Sequence, residues 1–153
     1  MLLGNLIKCS NKNYQRIIVK GIAYDSRKVK KDYIFFAIKG SKTSGTKFIY
    51  QALSKGASAI IANKKIKVKK NKVPILLVKN TREKLSEAIS NFYKTKPRNI
   101  IVVTGTNGKS SVADFFYQIL NINKLSVASI GTLGILSKNY KKKTNLTSID
   151  PLS

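Results

Sequence analysis

The segment Gly105-Thr106-Asn107-Gly108-Lys109-Ser110-Ser111 constrains this chain more than any other. A continuous β-branched run, Ile100, Ile101, Val102 and Val103, leads into it and predicts a strand buried on both faces. Val112, Phe115, Phe116, Ile119 and Leu120 follow at i, i+3, i+4, i+7 and i+8, the spacing of one helix face. A strand, a glycine turn and a helix in direct succession make an anion site. The first helical turn leaves N–H groups without internal partners, and the helix dipole favours negative charge there. Gly105 and Gly108 let the backbone approach phosphate oxygens, and Lys109 supplies a point charge for the β- and γ-phosphates. The Ser110 hydroxyl is placed to ligate Mg²⁺. The common phosphate-loop pattern has glycine where this chain has Val103, so the match is to the shorter G-x-x-G-K-[ST] core. The alternative is a glycine turn with a solvated lysine, and the strand and helix predicted on either side weigh against it. Residues 125–130 predict the next strand, which would complete a βαβ unit with a right-handed crossover.

Upstream, strands and helices alternate. Residues 21–24 and 34–38 predict strands joined by the polar segment 25–33. Phe48, Ile49, Ala52 and Leu53 share a helical face, and Gly56 follows where a C-cap is expected. Residues 59–62 and 74–78 predict two further strands. Asn80 caps a predicted amphipathic helix over 81–93, with Leu85, Ala88, Ile89 and Phe92 on its apolar face. Pro97 marks a linker. The organisation is therefore α/β in two modules, a small domain over 1–96 and the start of a second over 97–153. The second has too few residues for a sheet of the usual ~4–6 strands, so the sequence is expected to be a fragment.

Charge comes next, because 30 Lys and Arg against 6 Asp and Glu give a formal net charge of +24. Lysine accounts for 26 of the 30 and is spread along the whole chain, whereas arginine provides the planar fork that reads phosphate and guanine. The densest run, six lysines between Lys64 and Lys72, reads as a solvated loop or as a phosphate-backbone contact. The absence of histidine excludes a histidine triad or a His-ligated zinc site within these residues. The lone Cys9 excludes an internal disulfide and a paired-cysteine metal site. No stretch approaches the ~18 apolar residues of a membrane span, and the short apolar start is no secretory signal, so a cytoplasmic location is expected.

The segment Val103–Ser111 resembles the ATP loop of the Mur ligase family, T-G-T-N-G-K-[TS]-[TS]. Asp25-Ser26-Arg27-Lys28-Val29, then Ile34-Phe35-Phe36-Ala37 and Gly40, resembles the signature of that family's N-terminal uridine-binding domain. Gly45 and Phe48, the segments 57–62 and 74–78, Thr81-Arg82 and Phe92-Tyr93 keep its order and spacing. Gly131-Thr132-Leu133-Gly134 and Thr147-Ser148-Ile149-Asp150-Pro151-Leu152 resemble G-T-[IL]-G and T-T-P-D-P-L, which point to the family's tripeptide synthetases. The resemblance runs from about Gly21 to Leu152.

It implies a uridine-binding-type α/β domain followed by the start of an ATP-binding one. It implies an ATP-dependent ligase that adds a diamino acid, meso-diaminopimelate or lysine, to UDP-N-acetylmuramoyl-L-alanyl-D-glutamate through an acyl phosphate, with Mg²⁺. Gly105, Thr106, Asn107, Gly108, Lys109, Ser110 and Ser111 would bind ATP, and Ser110 would also ligate Mg²⁺. Ser26, Ser41, Lys42 and Thr43 would contact the uridine-diphosphate part, and Thr147 and Ser148 the muramyl-peptide end. None of the residues present is assigned a catalytic role, so these 153 residues alone are expected to be inactive. A monomer is expected, with no nucleic acid or membrane as partner. The family's D-G-H is Ser44-Gly45-Thr46 here, a glycine usual before the second strand is Asp32, and the proline of T-T-P is Ile149. Two readings from other classes stay open at this point. One is a stand-alone nucleotide- or UDP-sugar-binding module. The other is a basic nucleic-acid-binding domain.

Overall fold

The computed structural model describes residues 1–40, 43–66, 73–144 and 152. The chain divides into two compact units, the first spanning Met1–Lys96 and the second beginning at Pro97.

The first unit is built on a four-stranded parallel sheet in the order β1 (Gly21–Ala23), β2 (Tyr33–Phe36), β3 (Ala59–Ala62) and β4 (Ile75–Leu77). Ile34 pairs with Ala59 and Ile60 with Ile75. Side chains alternate across a strand, so each strand feeds two cores. Ile22, Ile34, Phe36, Ala59 and Ile61 face a cluster with Leu3, Leu6, Leu85 and Ala88. Ala23, Phe35, Ala37, Ile60 and Ala62 face a second cluster with Val29, Ile49 and Ala52. The helices follow from that division. α1 (Leu3–Leu6) and α4 (Thr81–Phe92) supply residues to the first cluster, and α3 (Ile49–Ser54) supplies residues to the second. A further single turn, α2 (Lys12–Gln15), is capped by the Asn11 side chain.

Two caps fix the longer elements. Asn80 Oδ1 accepts from the N–H groups of Arg82 and Glu83 at 3.0 and 3.3 Å, which starts α4 at the predicted place. α3 ends in a Schellman motif: Gly56 N–H donates to Leu53 O at 2.9 Å and Ala57 N–H to Ala52 O at 3.1 Å. Gly56 sits at φ +87°, and a Cβ there would lie 3.2 Å from Lys31 Cα. Its carbonyl accepts from Asp32 N–H at 2.8 Å, which ties the cap to the entrance of β2. Asp32 itself is left-handed, at φ +66°. That explains why relatives are expected to carry glycine there and why aspartate, which tolerates this region, replaces it.

The second unit holds α5 (Lys109–Ile122) and a three-stranded antiparallel meander, β5 (Ala128–Gly131), β6 (Gly134–Ser137) and β7 (Tyr140–Lys142). Two sequence expectations need correction here. Residues 100–103 form no strand, because no ladder partner lies among the described residues; Ile100, Ile101 and Val102 are 75, 62 and 82% exposed. β5 pairs instead with β6, so the expected βαβ crossover is not closed among the described residues. The predicted strand over 125–130 also starts late. Lys124 at φ +59° and the Leu125 N–H to Leu120 O bond (3.0 Å) terminate α5 there. The apolar stripe of α5 is present in the expected spacing, but none of its residues is buried.

Candidate functional site

In a parallel sheet every strand ends at the same edge, and that edge is where α/β folds bind ligands. In the first unit the loops after β1 and β2 and the start of α4, which follows β4, lie at that edge. The turn after β1 is a 3₁₀ segment, Ser26–Lys28. The Asp25 carboxylate accepts from Arg27 N–H at 2.9 Å and from the Arg27 guanidinium at 2.8 to 3.1 Å. These bonds hold the Asp25 carboxyl below its ordinary value. Ser26 is 5% exposed, and its hydroxyl donates to Gln51 Oε1 on α3 at 2.6 Å. Lys55 Nζ, just past α3, donates to Arg27 O at 2.7 Å. The turn is therefore fastened to α3 at two points.

In the loop after β2, Gly40 N–H donates to Thr43 O at 2.9 Å, and the Thr43 side chain is exposed. Ser44 and Thr46, which stand where an acid and a histidine are expected, share a hydrogen bond of 2.9 Å between their hydroxyls. Arg82, in the first turn of α4, reaches Lys39 O at 3.5 Å. Ser41, Lys42, Thr147 and Ser148 lie outside the described residues.

The glycine loop stands in the second unit. Gly105 has φ +146° and Gly108 φ +73°, and Gly108 is the N-cap of α5. A Cβ on Gly108 would meet nothing within 4 Å, so its backbone conformation, not crowding, calls for glycine. Val112 N–H donates to Gly108 O at 2.9 Å, which begins the helix. The N–H groups of Lys109, Ser110 and Ser111 precede that bond and occupy the helix's first turn, with Thr106 and Asn107 in the turn before it. Lys109 Nζ curls over the loop and donates to Gly105 O at 2.6 Å and Thr106 O at 3.0 Å. Ser110 Oγ donates to Thr132 Oγ1 at 3.4 Å. All seven loop residues are exposed. Gln51 and Thr132 thus join the two sites as partners of Ser26 and Ser110. Gln51 carries no local sequence signal, and Thr132 was visible only as part of the Gly131–Gly134 motif.

Among the described residues no three His, Cys, Asp or Glu side chains cluster as metal ligands, and no helix is long and apolar enough to cross a membrane.

A glycine-capped helix in one unit and a parallel α/β sheet in the other now stand beside the matches to known proteins. A family model described as "Mur ligase family, catalytic domain" matches residues 18–93, and the chain belongs to the Mur ligase family. Within that family it is similar to UDP-N-acetylmuramoyl-L-alanyl-D-glutamate–2,6-diaminopimelate ligases. That of Rickettsia montanensis is 46% identical over 144 residues, which cover 92% of this chain and 30% of the relative. A solved structure of a ligase of the same name superposes with a TM-score of 0.76 at 26% identity, covering 99% of this chain and 31% of the other. The MurF ligase of Thermotoga maritima, solved in complex with ADP, superposes with a TM-score of 0.56 at 29% identity, covering 72% of this chain and 25% of that one. The chain spans about a third or less of the length of the relatives it matches.

Proposed function

We propose that this chain is the N-terminal part of an ATP-dependent ligase that adds a diamino acid, meso-diaminopimelate or lysine, to UDP-N-acetylmuramoyl-L-alanyl-D-glutamate in peptidoglycan synthesis. The observation that carries the reading is the glycine-capped start of α5 in a chain similar over nine-tenths of its length to diaminopimelate ligases. The uncovered stripe of α5 supports it too, since the remaining length of such a ligase supplies a place for that stripe to pack.

The chemistry is phosphoryl transfer followed by acyl transfer. A D-glutamate carboxylate oxygen attacks the γ-phosphorus of ATP, giving an acyl phosphate and ADP. The incoming amine attacks the acyl carbon, and phosphate leaves with the bonding pair. Positioning and charge neutralisation do most of the work in such transfers. The N–H groups of the first turn of α5, with Gly105, Thr106, Asn107 and Gly108, cradle the phosphates. Lys109 exchanges its loop carbonyls for β- and γ-phosphate oxygens, and Ser111 adds a hydroxyl. Ser110 offers a hard oxygen for Mg²⁺. A single protein oxygen with substrate phosphates suits this ion, which seldom uses an all-protein cage. Mg²⁺ supplies neutralisation of the transferred phosphoryl charge.

Domain 1–96 binds the UDP end through Ser26, Ser41, Lys42 and Thr43. The Ser26 proton is committed to Gln51, so Ser26 acts toward the ligand as an acceptor. Thr147 and Ser148 face the muramyl-peptide end, and domain 97–153 opens the ATP-binding domain. The protein works as a cytoplasmic monomer on nucleotide-linked substrates, without nucleic acid. The 153 residues alone carry no catalytic group and do not turn over.

The test is ligation by the intact protein that carries these residues, given the UDP-muramyl-dipeptide, Mg-ATP and either diamino acid, with the tripeptide product read by mass spectrometry. Product from one diamino acid, and none from the 153-residue chain, is expected. No product from the intact protein with either would defeat the proposal.

A further inference from the structure

The β5–β6 hairpin turns through only two residues, Thr132 and Leu133, because Gly131 pairs with Gly134. That turn brings Thr132 back to the first turn of α5, 22 positions earlier, where its Oγ1 lies 3.4 Å from Ser110 Oγ. The two hydroxyls are held by independent backbone features. Ser110 is set by Gly108 at φ +73°, which starts the helix. Thr132 is set by Gly134 at φ +99°, where a Cβ would run into the Lys142 carbonyl of β7. A bond of this length between exposed hydroxyls adds little stability. Its significance is directional.

A serine hydroxyl has one proton and two lone pairs. If it ligates a cation it spends a lone pair, and the proton must point at some other acceptor. A helical serine ordinarily sends that proton to the carbonyl four residues back. For Ser110 that residue, Thr106, precedes the helix, and the hydroxyl donates instead to Thr132 Oγ1 at 3.4 Å. The backbone N–H groups of the turn are donors and cannot take a proton. Thr132 Oγ1 is the acceptor that the described geometry provides.

We infer that Thr132 is a positioning residue. It takes the Ser110 proton and so turns the Ser110 lone pairs toward the cation that accompanies ATP. The inference rests on the reading of residues 105–111 as a Mg-ATP site, and it extends that site to the β5–β6 turn.

The experiment compares ATP affinity with Mg²⁺ and with EDTA, by calorimetry on the intact protein. Its variants are Thr132→Val, which keeps the shape and removes the acceptor, and Thr132→Ser, which keeps the acceptor. The loss of one such hydrogen bond predicts that Thr132→Val forfeits about 3- to 10-fold of the affinity gained from Mg²⁺. Affinity in EDTA should change by less than about 2-fold, and Thr132→Ser should keep the full gain. Thr132→Cys, a poor acceptor, replaces the valine variant if that one fails to fold, with the same expectation. An undiminished Mg²⁺ gain in the acceptor-free variant overturns the inference, as does an equal loss in both media. Wild-type binding with no Mg²⁺ gain overturns it while leaving the nucleotide site standing. Wild-type protein that binds no ATP at all defeats the site and the inference together.

Discussion

Replacing Gly56 by alanine should destabilise the first unit, although alanine outranks glycine within a helix. At φ +87° an L-residue pays about 1–2 kcal/mol for the left-handed conformation. The added Cβ would also lie 3.2 Å from Lys31 Cα. That neighbour cannot retreat freely, because the next residue, Asp32, is itself left-handed and donates its N–H to Gly56 O at 2.8 Å. Against these costs, alanine restricts the unfolded chain and returns about 0.4–1 kcal/mol. The net expectation is a loss of about 1–2 kcal/mol, or roughly 4–16 °C in midpoint for a unit of this size. Urea and thermal unfolding of the 153-residue chain, followed by far-UV circular dichroism, measure it. Gly56→Asn separates the two causes, since asparagine tolerates the left-handed region but carries the same Cβ, and it should lose less. A midpoint for Gly56→Ala equal to or above wild type would refute the reasoning.

Gln51→Leu leaves the buried Ser26 hydroxyl without its acceptor and should cost about 1–3 kcal/mol in urea unfolding, whereas Gln51→Glu, which keeps an oxygen there, should recover most of it; equal stability of the leucine variant would contradict this. Asn80→Ala removes the cap of α4 and should cost about 1 kcal/mol by the same assay, with no change counting against the capping assignment. The carboxyls of Asp25 and Asp32 should titrate below the ordinary 3.8 and that of Glu87 below 4.5, held down chiefly by hydrogen bonds from Arg27, Lys20 and Lys84 respectively. Depressed values mean that their stabilisation is complete above the unfolded-state range and disappears as pH falls through the folded-state values. Carbon-13 NMR titration midpoints at or above the ordinary values would contradict that assignment.

Most of the first unit was legible in its residues because its signals are local and agree with one another. The runs at 59–62 and around 34–36 are apolar at every position, as strands buried on both faces must be, and both were predicted as strands. Asn80 and Gly56 mark their helix ends through side-chain and backbone chemistry that needs no tertiary partner. The N-terminal turns were not legible. α1 and α2 have four residues each, too short for periodicity, and Leu3, Leu6 and Ile7 become core only by joining the cluster of sheet and α4 side chains. The second unit misled for a related reason. The β-branched run at 100–103 has strand propensity, but a strand exists only as a ladder, and none of the described residues pairs with it. β7 escaped because Tyr140, Lys141 and Lys142 lack an apolar alternation; its register is set by the two-residue turn at 138–139. At the sites, the loop glycines and Lys109 stood out from sequence because their spacing is the chemistry. The partners that orient Ser26 and Ser110 sit 25 and 22 residues away and are brought in only by the fold.

The central claim is that the start of α5 binds the phosphates of ATP. Equilibrium binding of Mg-ATP to the intact protein, wild type against Lys109→Ala, tests it most directly. A charge-assisted hydrogen bond of this kind predicts that the variant loses roughly 10- to 100-fold in affinity while its unfolding midpoint stays close to wild type, because Lys109 is exposed and bonds only its own loop. Equal affinity in the two proteins, or no binding by the wild type, would contradict the account.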